Sequence, residues 1–272
     1  MNNFVTRALS GAVFVAILIG CVLLSAQSCL ALFLVITTGS LLEFYKLNSG
    51  YKVTPNVVLG VLVGILIFVI NAAFQLGYTN GTAFFILLPL TFLILIAELY
   101  TKSDRPFLNI AVTLTGLVYV VIPFTLLISV AFTGTIKTTY HSHLLLGILL
   151  LQWASDTGQY LFGMLLGKTK LFERISPKKT WEGFIGGFLF CVGIGYLISM
   201  FFDELTTQQW IIVAGLIVIF GTFGDLIESM LKRSVNIKDS GSIMPGHGGF
   251  LDRFDGVFGA MPFVYVYIKL FC

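Results

Sequence analysis

The chain has 272 residues, of which 57% are apolar and only 11% charged, and its formal net charge is +3. Soluble domains carry about 25% charged residues, so this composition excludes a globule that faces water on all sides. Four cysteines, Cys21, Cys29, Cys191 and Cys272, lie in or beside apolar runs with no CxxC pair, which reads as small apolar filling and not as disulfides or zinc ligation.

Nine apolar stretches follow one another, at 8–26, 28–45, 56–75, 82–99, 107–131, 144–163, 183–202, 209–227 and 256–271. Crossing a hydrocarbon core of about 30 Å takes roughly 20 apolar residues in a helix. The runs are continuous and not alternating, so they predict helices and not barrel strands. The segment Asn2 to Arg7 before the first run superficially resembles the start of a signal peptide, and Leu18-Ile19-Gly20-Cys21 is vaguely similar to a lipoprotein cleavage box. The apolar run nevertheless continues through Val22, Leu23 and Leu24, which favours a retained first helix. Pro123 in the fifth run is a tolerable kink. The ninth run is short and interrupted by glycine and proline at its start.

When the loops are placed alternately on two sides, all but two (Lys137 and Lys269) of the 16 lysines and arginines share the side of the N-terminus. The positive-inside rule makes that side cytoplasmic. The expectation is an all-α integral membrane protein: a multi-pass bundle of about nine transmembrane helices with a cytoplasmic N-terminus. Residues 1–140 would supply spans one to five. Residues 141–272 would supply the remaining helices and the cytoplasmic-face loops that carry the site, the two halves forming one integrated membrane domain. Both long polar stretches, 164–182 and 228–255, fall on the cytoplasmic side, so chemistry is expected there.

Three constellations carry that expectation. In the sixth run Gln152, Asp156, Gln159 and Gly163 stack on one helix face. A carboxylate in a membrane segment is costly and usually faces a protein interior or a wet cavity; the alternative is a helix–helix hydrogen bond. The second is Ser176-Pro177-Lys178-Lys179-Thr180-Trp181-Glu182-Gly183. Ser-Pro is a helix-start signal, with Ser176 as N-cap and Pro177 at the first helical position. Two lysines in a first turn oppose the helix dipole unless an anionic ligand such as phosphate joins them there. Their alternative use is to set topology or to touch anionic lipid headgroups.

The third constellation runs from Gly224 to Asp255. Four of the chain's 13 acidic residues, Asp225, Glu228, Asp252 and Asp255, border a glycine-rich loop with Lys232, Arg233, Lys238 and Arg253. Asp225 with Glu228, and Asp252 with Asp255, are spaced i, i+3 and share a face if helical. Like charges that close repel unless a cation separates them, and hard oxygen donors favour Mg²⁺ with substrate phosphates completing its shell. The basic side chains would hold the remaining phosphate charge while glycines let backbone approach the ligand. The combination points to metal-assisted phosphoryl or nucleotidyl transfer; the bland reading is a salt-bridged loop with glycine turns. His247 is either a general acid/base or leaving-group contact, or a hydrogen-bonding turn residue.

Here the chain resembles a known family. Ser229-Met230-Leu231-Lys232-Arg233, Lys238-Asp239-Ser240-Gly241, Pro245-Gly246-His247-Gly248-Gly249 and Leu251-Asp252-Arg253-Phe254-Asp255, in that order, look like the signature of phosphatidate cytidylyltransferases. Asp156-Thr157-Gly158 through Gly167-Lys168 and the Ser176–Gly183 block are similar to that family too. The resemblance implies the reaction of CTP with phosphatidate to give CDP-diacylglycerol and pyrophosphate. It implies a metal centre on Asp225 and Asp252, with Asp255 as a third contributor, holding Mg²⁺ and a second cation. Ser176, Lys178, Lys179 and Thr180 would cradle phosphates, helped by Lys232, Arg233 and Lys238. Asp239, Gly248, Gly249 and Arg253 would contact substrate, and Asp156 would complete the polar wall. The implied partners are CTP, phosphatidate and the lipid bilayer, without nucleic acid; a homodimer is left open. The short chain fits a bacterial enzyme of the cytoplasmic membrane.

Two rival readings differ in chemistry. A CTP-dependent lipid kinase, similar to dolichol or phytol kinases, would move the γ-phosphate to a lipid alcohol. A transporter would scatter polar groups at mid-membrane in several helices, whereas here they crowd at one face. A CDP-alcohol phosphotransferase lacks support, because Asp255-Gly256 is followed by Val257, Phe258 and Gly259.

Overall fold

The computed structural model describes residues 3–49, 53–133, 139–237, 240–241 and 248–272, with side chains from residue 9 onward. The apolar runs form helices: α1 (Asn3–Leu24), α2 (Ala26–Asn48), α3 (Val57–Gln75), α4 (Leu87–Glu98, entered through a 3-10 segment from Gly81), α5 (Pro106–Gly116) and α6 (Ile122–Val130), then α7 (Ser142–Leu166), α8 (Trp181–Ile198), α9 (Thr207–Ser234) and α10 (Leu251–Phe271). Short polar residues supply the starts. Ser25 accepts from the Ser28 amide at 3.1 Å to begin α2, Asn56 caps α3, and Thr206 with Gln209 forms a reciprocal capping box on α9, as orphaned first-turn amides require.

Seven helical stretches among the described residues are long and apolar enough to cross a membrane: Ala26–Asn48, Val57–Gln75, Gly81–Glu98, Pro106–Val130, Trp181–Ile198, Thr207–Ser234 and Leu251–Phe271. The first and sixth expected spans are helical as well. The described apolar part of α1, Leu9–Leu24, is shorter, and α7 is set apart by its polar face. The fifth expected span contains one π-helical turn, Leu117–Val121, which ends two residues before Pro123. Proline lacks an N–H and crowds the preceding turn, and the widened turn accommodates that.

Large apolar side chains such as Leu88, Leu99, Leu189 and Phe201 point outward, as lipid solvation permits. The buried core runs from α1 to α10. Phe124 packs edge-on against Phe254 and Phe258, with ring centroids 5.1 and 5.2 Å apart, and Phe33 stands 6.2 Å from Phe254. Cys29 and Cys191 are buried fillers within it.

The polar stretch 164–182 differs from expectation. Ser176 does not start a helix: residues Ser176–Thr180 form strand β2, paired antiparallel with β1 (Lys170–Phe172), Lys170 opposite Thr180 and Phe172 opposite Ser176. The helix begins at Trp181, with Thr180 as its cap, accepting from the Gly183 amide at 3.2 Å. Glu182 ties the hairpin down by accepting from the Lys168 and Thr169 amides at 3.0 and 3.1 Å. The two lysines therefore precede the helix and do not lie in its first turn.

The second polar stretch is more helical than its composition suggests. α9 continues to Ser234, and α10 starts at Leu251 and not near 256, running unbroken through Pro262. Asp225, Glu228 and Lys232 thus sit on α9, and Asp252 and Asp255 on the first turns of α10.

Candidate active site

Two glycine-mediated crossings bring the polar groups together. On α9 and α10, Gly224 and Gly259 meet backbone to backbone: a Cβ added to Gly259 would lie 2.7 Å from the Gly224 Cα. One residue along, Asp225 is thereby set beside the start of α10. On α7 and α8, a Cβ on Gly183 would lie 2.9 Å from the Gly163 Cα, and one on Gly158 would lie 3.0 Å from the Gly187 Cα. Small residues let helices approach this closely, and in lipid such packing replaces the hydrophobic drive. Gln152 fills the gap between the pairs. It packs against Gly221 and Gly256 and donates to Asp156 at 3.2 Å, while Thr222 on α9 donates to Gln159 at 3.1 Å.

These crossings enclose a cavity of about 500 Å³. Its wall includes Asp156, Gln159 and Gly163 of α7; Ser176, Lys178, Lys179 and Thr180 of β2; Asp225 of α9; and Asp252 and Asp255 of α10. All three constellations thus meet in one place. Tyr160, Met164 and Phe184 add an apolar side, with Tyr160 and Met164 more than half exposed at the bundle's surface. The sequence reading did not include these three, because apolar residues on membrane helices carry no distinguishing signal.

The charges are arranged in bridged groups. Lys179 Nζ stands 2.5 Å from Asp225 Oδ2, and Asp225 also accepts from the Ser229 hydroxyl at 3.2 Å. Lys232 Nζ lies 2.7 Å from Asp252 Oδ1 and 3.1 Å from Glu228 Oε1. Asp252 Oδ2 accepts from the Ser240 amide (2.9 Å), the Ser240 hydroxyl (2.8 Å) and the Gly249 amide (3.0 Å). Asp255 Oδ1 accepts from the Gly256 amide at 2.7 Å. Glu228 is fully buried, with no exposed side-chain surface, and pairs with Lys232. Asp225 and Glu228 therefore do not share a face toward one cation, whereas Asp252 and Asp255 both reach the cavity.

The remaining expected residues fall around this centre. Gly248 adopts φ +82°, a left-handed conformation open to glycine, and with Gly249 forms the turn that delivers an amide to Asp252. Arg233 is exposed and donates to the Ile237 carbonyl at 3.4 Å. Arg253 is exposed on the first turn of α10. Neither arginine belongs to the cavity wall as described. Lys238, Asp239 and His247 lie outside the described residues.

Among the described residues, no three His, Cys, Asp or Glu side chains are grouped closely enough to hold a metal ion by themselves. The donor chemistry nevertheless fits a hard divalent cation, since Asp225, Asp252 and Asp255 all line the cavity. Mg²⁺ characteristically takes one or two carboxylates and completes its shell with water and substrate phosphate. Three converging protein ligands are therefore not required.

Sequence reasoning also passed over Glu43. It lies on α2, is buried, and accepts from the Leu251 amide at 2.9 Å. The signal was present: Glu43 is an isolated carboxylate inside an apolar run, and such a residue is a functional candidate by default.

These apolar helices define a membrane protein, and a cavity in its bundle combines carboxylates, lysines and an apolar side. The chain belongs to the cytidylyltransferase family, whose sequence model matches residues 5–271. It is 40% identical over 178 residues to phosphatidate cytidylyltransferases of Staphylococcus aureus (strain COL) and Staphylococcus haemolyticus (strain JCSC1435), and 39% identical to that of Staphylococcus epidermidis. In each case the match covers 65% of this chain and 65% of the relative's length.

Proposed function

We propose that this protein transfers the cytidylyl group of CTP to phosphatidate, releasing pyrophosphate and leaving CDP-diacylglycerol in the membrane. The observation that carries this is the cavity in which a lysine-bearing strand faces carboxylates, with an apolar side formed by Tyr160, Met164 and Phe184. A lipid phosphate needs both kinds of surface at once. The names of the staphylococcal relatives support the same reading.

In this reading a phosphate oxygen of phosphatidate attacks the α-phosphorus of CTP in line. The new P–O bond forms as the bond to the bridging oxygen of the β-phosphate breaks, and pyrophosphate takes that oxygen and its electron pair. A phosphate oxygen is already ionised near neutral pH, so no strong general base is needed. The main obstacle is repulsion between two anions, and orientation with charge compensation reduces it. Lys178 and Lys179, with the Ser176 and Thr180 hydroxyls, bind and orient phosphate groups. Lys232 holds Asp252 in place through its 2.7 Å contact. Asp156, held by Gln152, completes the polar wall. Asp225, Asp252 and Asp255 would hold Mg²⁺ and a second cation, which supply neutralisation of charge on the reacting and departing phosphates when bound.

The cavity would open to the cytoplasm in a bacterial cytoplasmic membrane, with nine spans and an inward N-terminus. The one-sided distribution of Lys and Arg supports this orientation, and the bacterial relatives support the membrane. The test uses CTP labelled in its α- or its γ-phosphate, incubated with purified protein and phosphatidate, and in a parallel arm with a long-chain prenol as the alcohol acceptor. α-label entering the lipid supports the proposal; γ-label in the lipid would replace it with a kinase.

A further inference from the structure

We propose that Glu43 is a positioning residue for this transfer, clamping the start of α10 so that Asp252 stays fixed in the cavity wall. The inference rests on the activity proposed above and extends its machinery into the N-terminal half of the chain. α10 starts at Leu251 behind Phe250, whose side chain cannot cap it, so its first amides need acceptors from elsewhere. Glu43 Oε2 on α2 takes the Leu251 amide at 2.9 Å and receives the Ser240 hydroxyl at 3.4 Å. Ser240 in turn donates its amide to Asp252 at 2.9 Å, and its one hydroxyl proton lies between the two carboxylates, nearer to Asp252 at 2.8 Å. A chain of hydrogen bonds therefore runs from α2 through Ser240 to an acid of the cavity.

The packing around Glu43 is specific to this task. Gly241 and Gly249 lie directly against its carboxylate, where any Cβ would overlap it. One helical turn earlier, Gly39 receives the Phe250 ring: a Cβ there would stand 2.6 Å from Phe250 Cδ2. Glu43 is itself only 5% exposed. A buried carboxylate is expensive to keep in an apolar helix, and a packing role alone would be met by an aliphatic residue. A negative group at a helix N-terminus is also favoured by the helix dipole. Glu43 does not line the cavity, so it acts through Ser240 and Asp252 and not on the substrate.

The test compares Glu43→Ala and Glu43→Gln with the wild type in detergent or liposomes, with rates expressed per folded protein. Glutamine keeps an acceptor for Leu251 and can still pair with Ser240. Glu43→Ala should lower kcat by about tenfold to a hundredfold, the scale of losing an acceptor for a buried donor. KM for CTP should stay within about threefold, because the lysine strand is untouched, and Glu43→Gln should recover at least about a third of wild-type kcat. Amide hydrogen exchange over residues 248–256 should accelerate in Glu43→Ala and not in Glu43→Gln. Normal kcat and exchange in Glu43→Ala, or a Glu43→Gln as impaired as Glu43→Ala, would overturn the proposal. Should the wild type itself make no CDP-diacylglycerol, the activity reading fails, and the exchange measurement alone then decides the clamp: unchanged exchange in Glu43→Ala refutes it.

Discussion

Lys179 on β2 reaches Asp225 on α9 across the cavity at 2.5 Å, so the lysine strand and the carboxylate helix form one electrostatic unit. The pair separates two kinds of failure. Asp225→Asn removes a carboxylate proposed to hold a cation, and kcat should fall on the order of 10³-fold, the scale of several kcal/mol of charge stabilisation. Lys178→Ala, next door on the strand, should instead raise KM for CTP or phosphatidate by about threefold to tenfold with a smaller effect on kcat. Lys178 is exposed, so solvent screening keeps its contribution modest. Steady-state kinetics with both substrates varied checks the contrast; equal effects on kcat and KM in the two variants would remove the division of roles.

Lys232 carries a structural load as well. It is the ion partner of Glu228, which is fully buried, and of Asp252, which is nearly so. Breaking a buried pair from one side strands the other charge, at a cost of about 3 kcal/mol. Lys232→Met should therefore lower the melting temperature markedly, and Lys232→Met combined with Glu228→Gln should recover part of that loss. Thermal unfolding in detergent reads both; a single variant as stable as the wild type would show that Lys232 is not needed as a counter-ion.

The glycine crossing beneath the site makes a separate expectation. Gly259→Ala should destabilise by about 1–3 kcal/mol through overpacking, because its new methyl meets the Gly224 backbone. Gly193→Ala is the control: nothing lies within 4 Å of a Cβ there, and alanine is the better helix former. The two melting temperatures should move apart, and equal shifts would mean that the α9–α10 contact is looser than the structure has it.

The helices were legible because continuous apolar runs leave the backbone no alternative in lipid. The face of Gln152, Asp156 and Gln159 was legible from its spacing, and it does meet the cavity. Ser176-Pro177 signals a helix start only locally, whereas the β1–β2 pairing and the Thr180 cap that defeat it depend on residues before and after. The apolar runs 209–227 and 256–271 stop short of the ends of α9 and α10 because the charged residues beyond them read as loop, although they sit on helix ends that emerge toward the site. The pairing of Gly224 with Gly259 and the reach of Glu43 to Leu251 are contacts between distant segments. A single sequence marks such residues as unusual without saying what they touch.

On the proposed function, carboxylates lining this cavity recruit a divalent cation that lets two anionic substrates react. The most direct measurement follows transfer of α-labelled CTP into phosphatidate by the purified protein, before and after exhaustive chelation, and again after Mg²⁺ is restored. Product formation should collapse on chelation and return with Mg²⁺, and with Mg²⁺ restored Asp225→Asn and Asp252→Ala should reach no more than about a thousandth of the wild-type rate. Undiminished product after chelation, or near-normal turnover by both aspartate variants, would contradict it.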